Sequence, residues 1–177
     1  MVTIILLRHG ETATSKNHDL IEGCSDTSLT DVGREQARQS ALKIKQHYEV
    51  EAIFCSPLNR AIQTGNIVSS VFGHHLQLTS FLRERNFGEL EGKKWSEVTK
   101  LYGPAIRAAD RNGTYDYQRF KGDSVEGVQK RIKLLKDFLR LQYEDKNVIC
   151  VTHGGIFRLL GFDVPWTAKA EYKIIQW

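Results

Sequence analysis

The sequence predicts an α/β fold of three layers, a mostly parallel sheet with helices on both faces. Three observations carry this expectation. Residues 2–7, 52–55 and 147–151 are short, apolar and rich in Val, Ile and Leu, the composition of strands buried on both faces rather than half-exposed ones. The stretches between them hold apolar residues at the three-to-four spacing of a helix with one buried face. The alternation of strand and helix along a chain of 177 residues argues a parallel sheet in one domain over 1–177, since that length buries one core well and two poorly.

The opening strand, 2–7, ends abruptly in Arg8-His9-Gly10. A polar loop follows over 11–29, and Thr30 is placed to cap a helix whose Ala37, Ala41, Ile44 and Tyr48 share a face. The second strand, 52–55, runs into Ser56-Pro57, and proline suits the first turn of the helix expected over 58–72. A third strand is expected over 76–79, followed by a charged loop, 82–92, punctuated by Gly88 and Gly92. Residues 93–123 are the least regular, with a short helix over 96–102 and then an excursion rich in arginine and tyrosine. Ser124 is placed to cap a long helix carrying Val125, Val128, Ile132, Leu135 and Phe138 on its core face. The fourth strand, 147–151, leads through Thr152-His153-Gly154-Gly155 into a helix over 156–160, and a last strand spans 171–176.

Composition bounds the function. Hydrophobic residues make up 41% and charged residues 26%, which describes a globular chain. The net charge of +4 is too mild to demand an acidic partner, and the basic residues are spread out, without a zinc-finger, homeodomain or RNP signature. Nucleic acid is therefore not an expected partner, and neither is a membrane, because no stretch approaches a span and no leader pattern opens the sequence. Cys24, Cys55 and Cys150 lack metal-ligand pairing, and two of them sit in apolar runs. A reducing, cytoplasmic home is expected. His18, His47, His74 and His75 read as surface residues and Trp95, Trp166 and Trp177 as packing residues. Residues 107–119 read equally as a cover over a site or as a solvated loop.

Ligands of parallel α/β sheets bind just past the carboxyl ends of the strands. Arg8, His9, Arg60, Glu84 and His153 all fall at strand ends or in the turns after them, so they can converge on one crevice. Two arginines and two histidines there favour a polyanion, and the planar fork of arginine suits phosphate oxygens. Gly154, at the turn into the helix after His153, can add a backbone amide. Glu84 is the lone acid expected beside this cluster, so the set offers phosphate positioning, charge stabilisation and a proton. A rival reading makes His9, His153 and Glu84 a two-histidine, one-carboxylate metal site, but Arg8 and Arg60 would repel a divalent ion. A second rival is a module that binds phosphate without turning it over. No metal or other cofactor is expected.

The chain resembles the histidine phosphatase superfamily, whose phosphoglycerate mutase-like branch carries an Arg-His-Gly opening motif. The resemblance runs through Arg8-His9-Gly10-Glu11-Thr12, Asp26-Thr27-Ser28-Leu29-Thr30-Asp31-Val32-Gly33, Ser56-Pro57-Leu58-Asn59-Arg60, Leu82-Arg83-Glu84, Gly88-Glu89-Leu90-Glu91-Gly92 and Val151-Thr152-His153-Gly154-Gly155. It implies a phosphoglycerate mutase-like fold in which His9 is the phosphorylated nucleophile. Arg8, Arg60 and His153 would hold the phosphoryl group, and Glu84 would protonate the leaving oxygen. Thr12 and Gly23 fall where the family touches phosphate or substrate. The family's asparagine six residues after the nucleophile is Ser15 here, with Asn17 two residues further, so either is a candidate phosphate contact. Gly122-Asp123-Ser124, with Arg131 seven positions after the serine, fits a structural helix start.

The resemblance points to the small phosphatases, similar to α-ribazole phosphatase and broad-specificity phosphatases, hydrolysing a small phosphate ester. The alternative is a phosphoglycerate mutase. Mutases of the family carry a long segment with an arginine pair and a tyrosine after the Glu-Gly motif. Here the segment between Gly92 and Gly122 is brief, and Arg107, Arg111, Arg119, Tyr115 and Tyr117 do not reproduce that arrangement.

Overall fold

In a computed structural model, which describes residues 1–163, 165 and 168–177, five strands form one sheet. They are β1 (Thr3–Arg8), β2 (Ala52–Cys55), β3 (Leu76–Leu78), β4 (Asn147–Thr152) and β5 (Tyr172–Gln176), in the order β3-β2-β4-β1-β5. All pairings are parallel except that of β1 with β5 at one edge. The sheet is thus the mostly parallel one expected, and β1 and β4 are its buried centre.

The unbroken apolar runs have the reason the composition suggested. Ile4, Leu6, Val148 and Cys150 point to one face, where they pack under Val128, Ile132, Leu135 and Leu139 of α6 (Val125–Gln142) and Ile156 and Phe157 of α7 (Gly154–Leu159). Ile5, Leu7, Ile149 and Val151 point to the other, against Ala41 and Ile44 of α2 (Asp31–His47) and Ala61 and Val68 of α3 (Asn59–Phe72). Successive residues of a strand face opposite sides, so a strand covered on both must be apolar throughout. Thr30 and Ser124 cap α2 and α6 by accepting from the amides of Gly33 and Gly127. The cap of α3 is Leu58, which bonds no amide through its side chain.

Two segments differ from the sequence reading. The polar loop 11–29 contains a single helical turn, α1 (Ala13–Lys16), closed by reciprocal bonds between Thr12 and Ser15. Four residues carry too little periodicity to announce a helix. In residues 93–123 the expected short helix is α4 (Trp95–Tyr102), but the excursion after it holds a second helix, α5 (Ala105–Arg111), and both pack on a small core in which Ile21, Phe87, Leu90, Trp95, Val98, Ile106, Tyr117 and Phe120 meet. That core is assembled from distant pieces of chain, so no local window displays it. Trp177 packs in the main core, whereas Trp166 lies outside the described residues. Among the described residues no helix is long and apolar enough to cross a membrane.

Candidate active site

Topology brings the site together. Arg8 ends β1 and pairs in register with Thr152, the last residue of the neighbouring β4, so Arg8-His9 and Thr152-His153 leave the sheet side by side. The amide of His9 still donates to Thr152 O at 3.0 Å, and the His9 and His153 rings lie 5.1 Å apart between centroids. Arg60 enters from the first turn of α3, which begins just past the end of β2. Gly10 donates from its amide to Thr64 Oγ1 at 3.1 Å, tying the end of β1 to that helix. A methyl group on Gly10 would meet Gly33 O at 2.2 Å, so close backbone approach requires glycine there.

Hydrogen bonds set the two imidazoles differently. His9 Nδ1–H donates to Gly10 O at 2.8 Å, which leaves Nε2 with its lone pair toward the cleft. Burial, then Arg60 and Arg8, holds His9 well below its ordinary value of 6.5, so the ring is neutral at pH 7. Ser56 Oγ lies 2.7 Å from His153 Nε2, and in the tautomer in which the hydroxyl donates, Nδ1 of His153 carries the proton. That Nδ1 is buried and meets no partner among the described residues. A buried donor without an acceptor costs free energy, and an anion in the cleft would satisfy it. His153 too is held well below 6.5, by burial and then by Arg60 and His9.

Around the imidazoles stand the cations. Arg60 is almost wholly buried and donates to Ser25 O at 2.8 Å and Gly23 O at 2.5 Å, while its buried Nε is left without a hydrogen bond. Arg8 donates to Pro165 O and Ala168 O, at 3.3 and 3.2 Å, and burial lowers it to about 10, still protonated at pH 7. Lys169 also lines the cleft, and burial and then Arg8 lower it to about 6. One carboxylate faces the nucleophile's side of this cluster. Glu22 Oε2 lies 3.6 Å from Arg60 Nε and 4.0 Å from His9 Nε2, and Glu22 Oε1 accepts from the hydroxyls of Thr12 at 2.5 Å and Thr27 at 2.7 Å.

Glu84 is positioned by backbone on every side. Its Oε1 accepts from the Arg85 amide at 2.8 Å and its Oε2 from the Gly155 amide at 3.0 Å. The loop behind it is stapled by Arg131, whose guanidinium donates to Phe81 O, Arg83 O and Glu84 O, and by Thr152 Oγ1, which donates to Leu82 O at 2.7 Å. Asp123 in turn lies 3.7 Å from Arg131 and accepts from the Asn86 amide, which is the structural role expected of the Gly122-Asp123-Ser124 start. A methyl group on Gly155 would come within 2.3 Å of Glu84 Oε1, the movable end of a side chain. Gly155→Ala is therefore expected to lower the melting temperature, because Glu84 must give up a bond to a buried amide as it moves, and to cost about 10²-fold in kcat/KM. Thermal unfolding and steady-state kinetics on one preparation check both halves.

Arg8, His9, Arg60, Glu84, Ser15, Gly23 and Gly154 all line one cleft, with His153 buried against His9 behind it. Two expected contacts are not brought there. Asn17 is exposed, and its Oδ1 accepts from the Asp19 amide, because the turn of α1 aims Ser15 inward and carries Asn17 past the cleft. Thr12 is fully buried, with its hydroxyl bonded to Glu22 and to the Ser15 amide, so it supports the wall without forming it. His18, read as a surface residue, stands at the rim. Residues 107–119 are not a free loop: α5 forms the outer wall, with Arg107 stacked 4.1 Å over the Trp95 ring and Asp110 reached by Arg107, Arg158 and the Tyr117 hydroxyl. Trp95 thus both packs and lines the cleft.

Sequence reasoning missed Glu22, Ser56 and Asp110. Ser56 had a signal, a hydroxyl immediately after a buried strand, while Glu22 and Asp110 acquire their surroundings only from other elements. Among the described residues no group of three His, Cys, Asp or Glu side chains is arranged to hold a metal ion.

Comparison with known proteins agrees with this fold. The chain is 30% identical over 174 residues to phosphoglycerate mutase-like protein 4 of Arabidopsis thaliana, covering 98% of this chain and 75% of that one. Among solved structures it is similar to Bacillus stearothermophilus YhfR, with a TM-score of 0.84 at 25% identity over 99% of this chain and 91% of that chain. It is also similar to a phosphoserine phosphatase of Entamoeba histolytica solved with 3-phosphoglyceric acid, with a TM-score of 0.70 at 31% identity over 92% and 82%. The family model of the histidine phosphatase superfamily (branch 1) matches residues 4–164, which contain β1 to β4 and all the residues that converge on His9 except Lys169. The chain belongs to that superfamily.

Proposed function

We propose that this protein is a phosphomonoester hydrolase working through a phosphohistidine at His9 on a small phosphorylated metabolite. The observation that carries this reading is the neutral His9 ring, its Nδ1–H spent on Gly10 O and its Nε2 turned to a cleft walled by Arg8 and Arg60. In the first step Nε2 attacks phosphorus, the ester P–O bond breaks, and Glu84 delivers a proton to the departing oxygen. Arg8, Arg60 and His153 Nδ1–H stabilise the charge on the equatorial oxygens. In the second step water attacks phosphorus, Glu84 accepts its proton, and the P–Nε2 bond breaks to release phosphate. Cys24 is not a competing nucleophile, since burial and then Glu91 push its thiol up to about 12. The cysteines are free thiols, which supports a reducing, cytoplasmic setting, with neither nucleic acid nor membrane as partner.

The test ranks sugar phosphates, nucleotides, phosphoglycerates, α-ribazole phosphate and phosphopeptides by kcat/KM. The same enzyme, quenched during turnover, should carry acid-labile, base-stable phosphate. The fixed cations take the place that magnesium or zinc holds in many phosphoryl-transfer enzymes, so activity is expected to survive chelator and to be inhibited by vanadate. Loss of activity with chelator, restored by a divalent ion, would support the metal-site rival instead.

The names of relatives such as the Arabidopsis protein favour one second reading, a mutase. A mutase must shield its phosphohistidine from water while substrate reorients. The segment between Gly92 and Gly122 is short, and its α4 and α5 form one wall of the cleft, which supports hydrolysis. Supplying 3-phosphoglycerate with and without 2,3-bisphosphoglycerate separates the two. Priming-dependent 2-phosphoglycerate with little free phosphate would establish the mutase.

A further inference from the structure

We propose that Glu22 makes this site selective for the singly protonated phosphoryl group, its Oε2 accepting a hydrogen bond from the P–OH of a monoanionic ester. This rests on the reading of the cleft as a phosphomonoester site, and it concerns the ionic form of the ligand that the site takes.

The geometry is specific. Each terminal nitrogen of Arg60 gives one of its two N–H groups to a loop carbonyl, while the single N–H on its buried Nε makes no hydrogen bond, so Nε–H is open to a phosphoryl oxygen. Glu22 Oε2 is 3.6 Å from Arg60 Nε and 4.0 Å from His9 Nε2, so it borders the space in which an oxygen accepting from Nε would stand with phosphorus on His9 Nε2. Two oxygens meet favourably at that range only with a proton between them. A dianionic phosphoryl group brings none, and two negative charges at such a distance repel in a water-poor site. A monoanion brings the proton itself.

Glu22 is held to this position. Its Oε1 is the acceptor of two hydroxyls, Thr12 and Thr27, and the residue is only 13% exposed, so Oε2 is the oxygen free to meet a ligand. The other charged or titratable groups facing it are Arg60 from α3, Arg8 and His9 from the end of β1, and Lys169 from the approach to β5. Glu84 also lines the cleft, and His153 lies against His9. His9 and His153 are neutral well above the acid range, and Lys169 has lost most of its charge by pH 7, so none of these three imposes a strong slope between pH 7 and 9. The same contact favours departure of product once it ionises to the dianion.

Inorganic phosphate is the probe, as a competitive inhibitor of p-nitrophenyl phosphate hydrolysis from pH 7 to 9. Above the second ionisation of phosphate the monoanion falls about tenfold for each pH unit. The inhibition constant of the wild-type protein is expected to rise by about that factor. Glu22→Gln keeps an oxygen for Thr12 and Thr27 and can donate from its amide to a dianion, so its profile should be nearly flat, with phosphate bound about tenfold more tightly than by wild type at pH 8.5. Glu22→Asp, which keeps the charge, should retain the slope, and a thermal melt of each variant confirms folding. Parallel profiles for wild type and Glu22→Gln would overturn the inference while leaving the phosphatase reading intact. Absence of inhibition by phosphate in the wild type at every pH would instead count against the phosphatase reading and the inference together.

Discussion

Replacing His9 with alanine is expected to lower kcat/KM for every phosphomonoester by at least about 10³-fold and to abolish the trapped phosphoenzyme. His9 Nε2 supplies the only bond by which phosphorus is held between the two proposed half-reactions, and removing a nucleophile collapses a two-step path, leaving what the binding groups achieve alone. Fold is not the cause, because the ring's one close hydrogen bond is to the carbonyl of the next residue, Gly10. A stability measurement adds an independent readout. His9 and His153 are both held well below 6.5 in the folded chain, so the unfolded chain binds protons that the folded one refuses. Their contribution is therefore intact above pH 6.5 and lost as pH falls below it. His9→Ala should flatten part of that acid-side loss, seen as a smaller drop in melting temperature between pH 7 and 5. Unchanged turnover in His9→Ala would end the phosphohistidine mechanism.

Glu84→Gln is expected to divide substrates by their leaving groups. An alkyl alcohol leaves poorly without a proton, so alkyl phosphates should lose about 10² to 10⁴-fold in kcat, whereas aryl phosphates, whose phenolate leaves readily, should lose far less. Glutamine sets its amide nitrogen against one backbone N–H, two donors facing each other, so some loss of stability is expected beside the kinetic effect. Glutamine can keep an oxygen on one of the two backbone amides, from Arg85 and Gly155, that orient Glu84, and the loop behind remains stapled by Arg131 and Thr152. Arg60→Ala is the contrast: it removes a stabilising cation whatever the leaving group, and both substrate classes should fall alike. Equal losses for the two classes in Glu84→Gln would remove Glu84 from the acid role.

Much of this architecture was legible in the linear chain because its forces are local or periodic. The apolar runs of β1, β2 and β4 had to be strands covered on both faces, and Thr30 and Ser124 announced α2 and α6 by their place before helical spacing. Parallel strands then required the residues at their carboxyl ends to share one edge, which is why Arg8, His9, Arg60 and His153 could be grouped without coordinates. The edge strand β5 was expected, but its antiparallel direction is a property of pairing with β1, which no single segment encodes.

What only the tertiary structure decided is the surroundings of each group. Ser15 and Asn17 were equal candidates in sequence, and a single turn of helix sends one into the cleft and the other to solvent. In residues 93–123 only the helix over 96–102 was readable, as α4, because the rest packs on a core completed by Ile21, Phe87 and Leu90 from outside the segment. Glu22 looked like an ordinary loop acid until folding set it against Arg60 and His9. By itself, then, the sequence determined the layered sheet and the chemistry gathered at its edge, since periodicity and residue type suffice for both. Protonation, orientation and which side chain reaches the cleft were decided by the fold, since desolvation and hydrogen-bond partners exist only once distant segments meet.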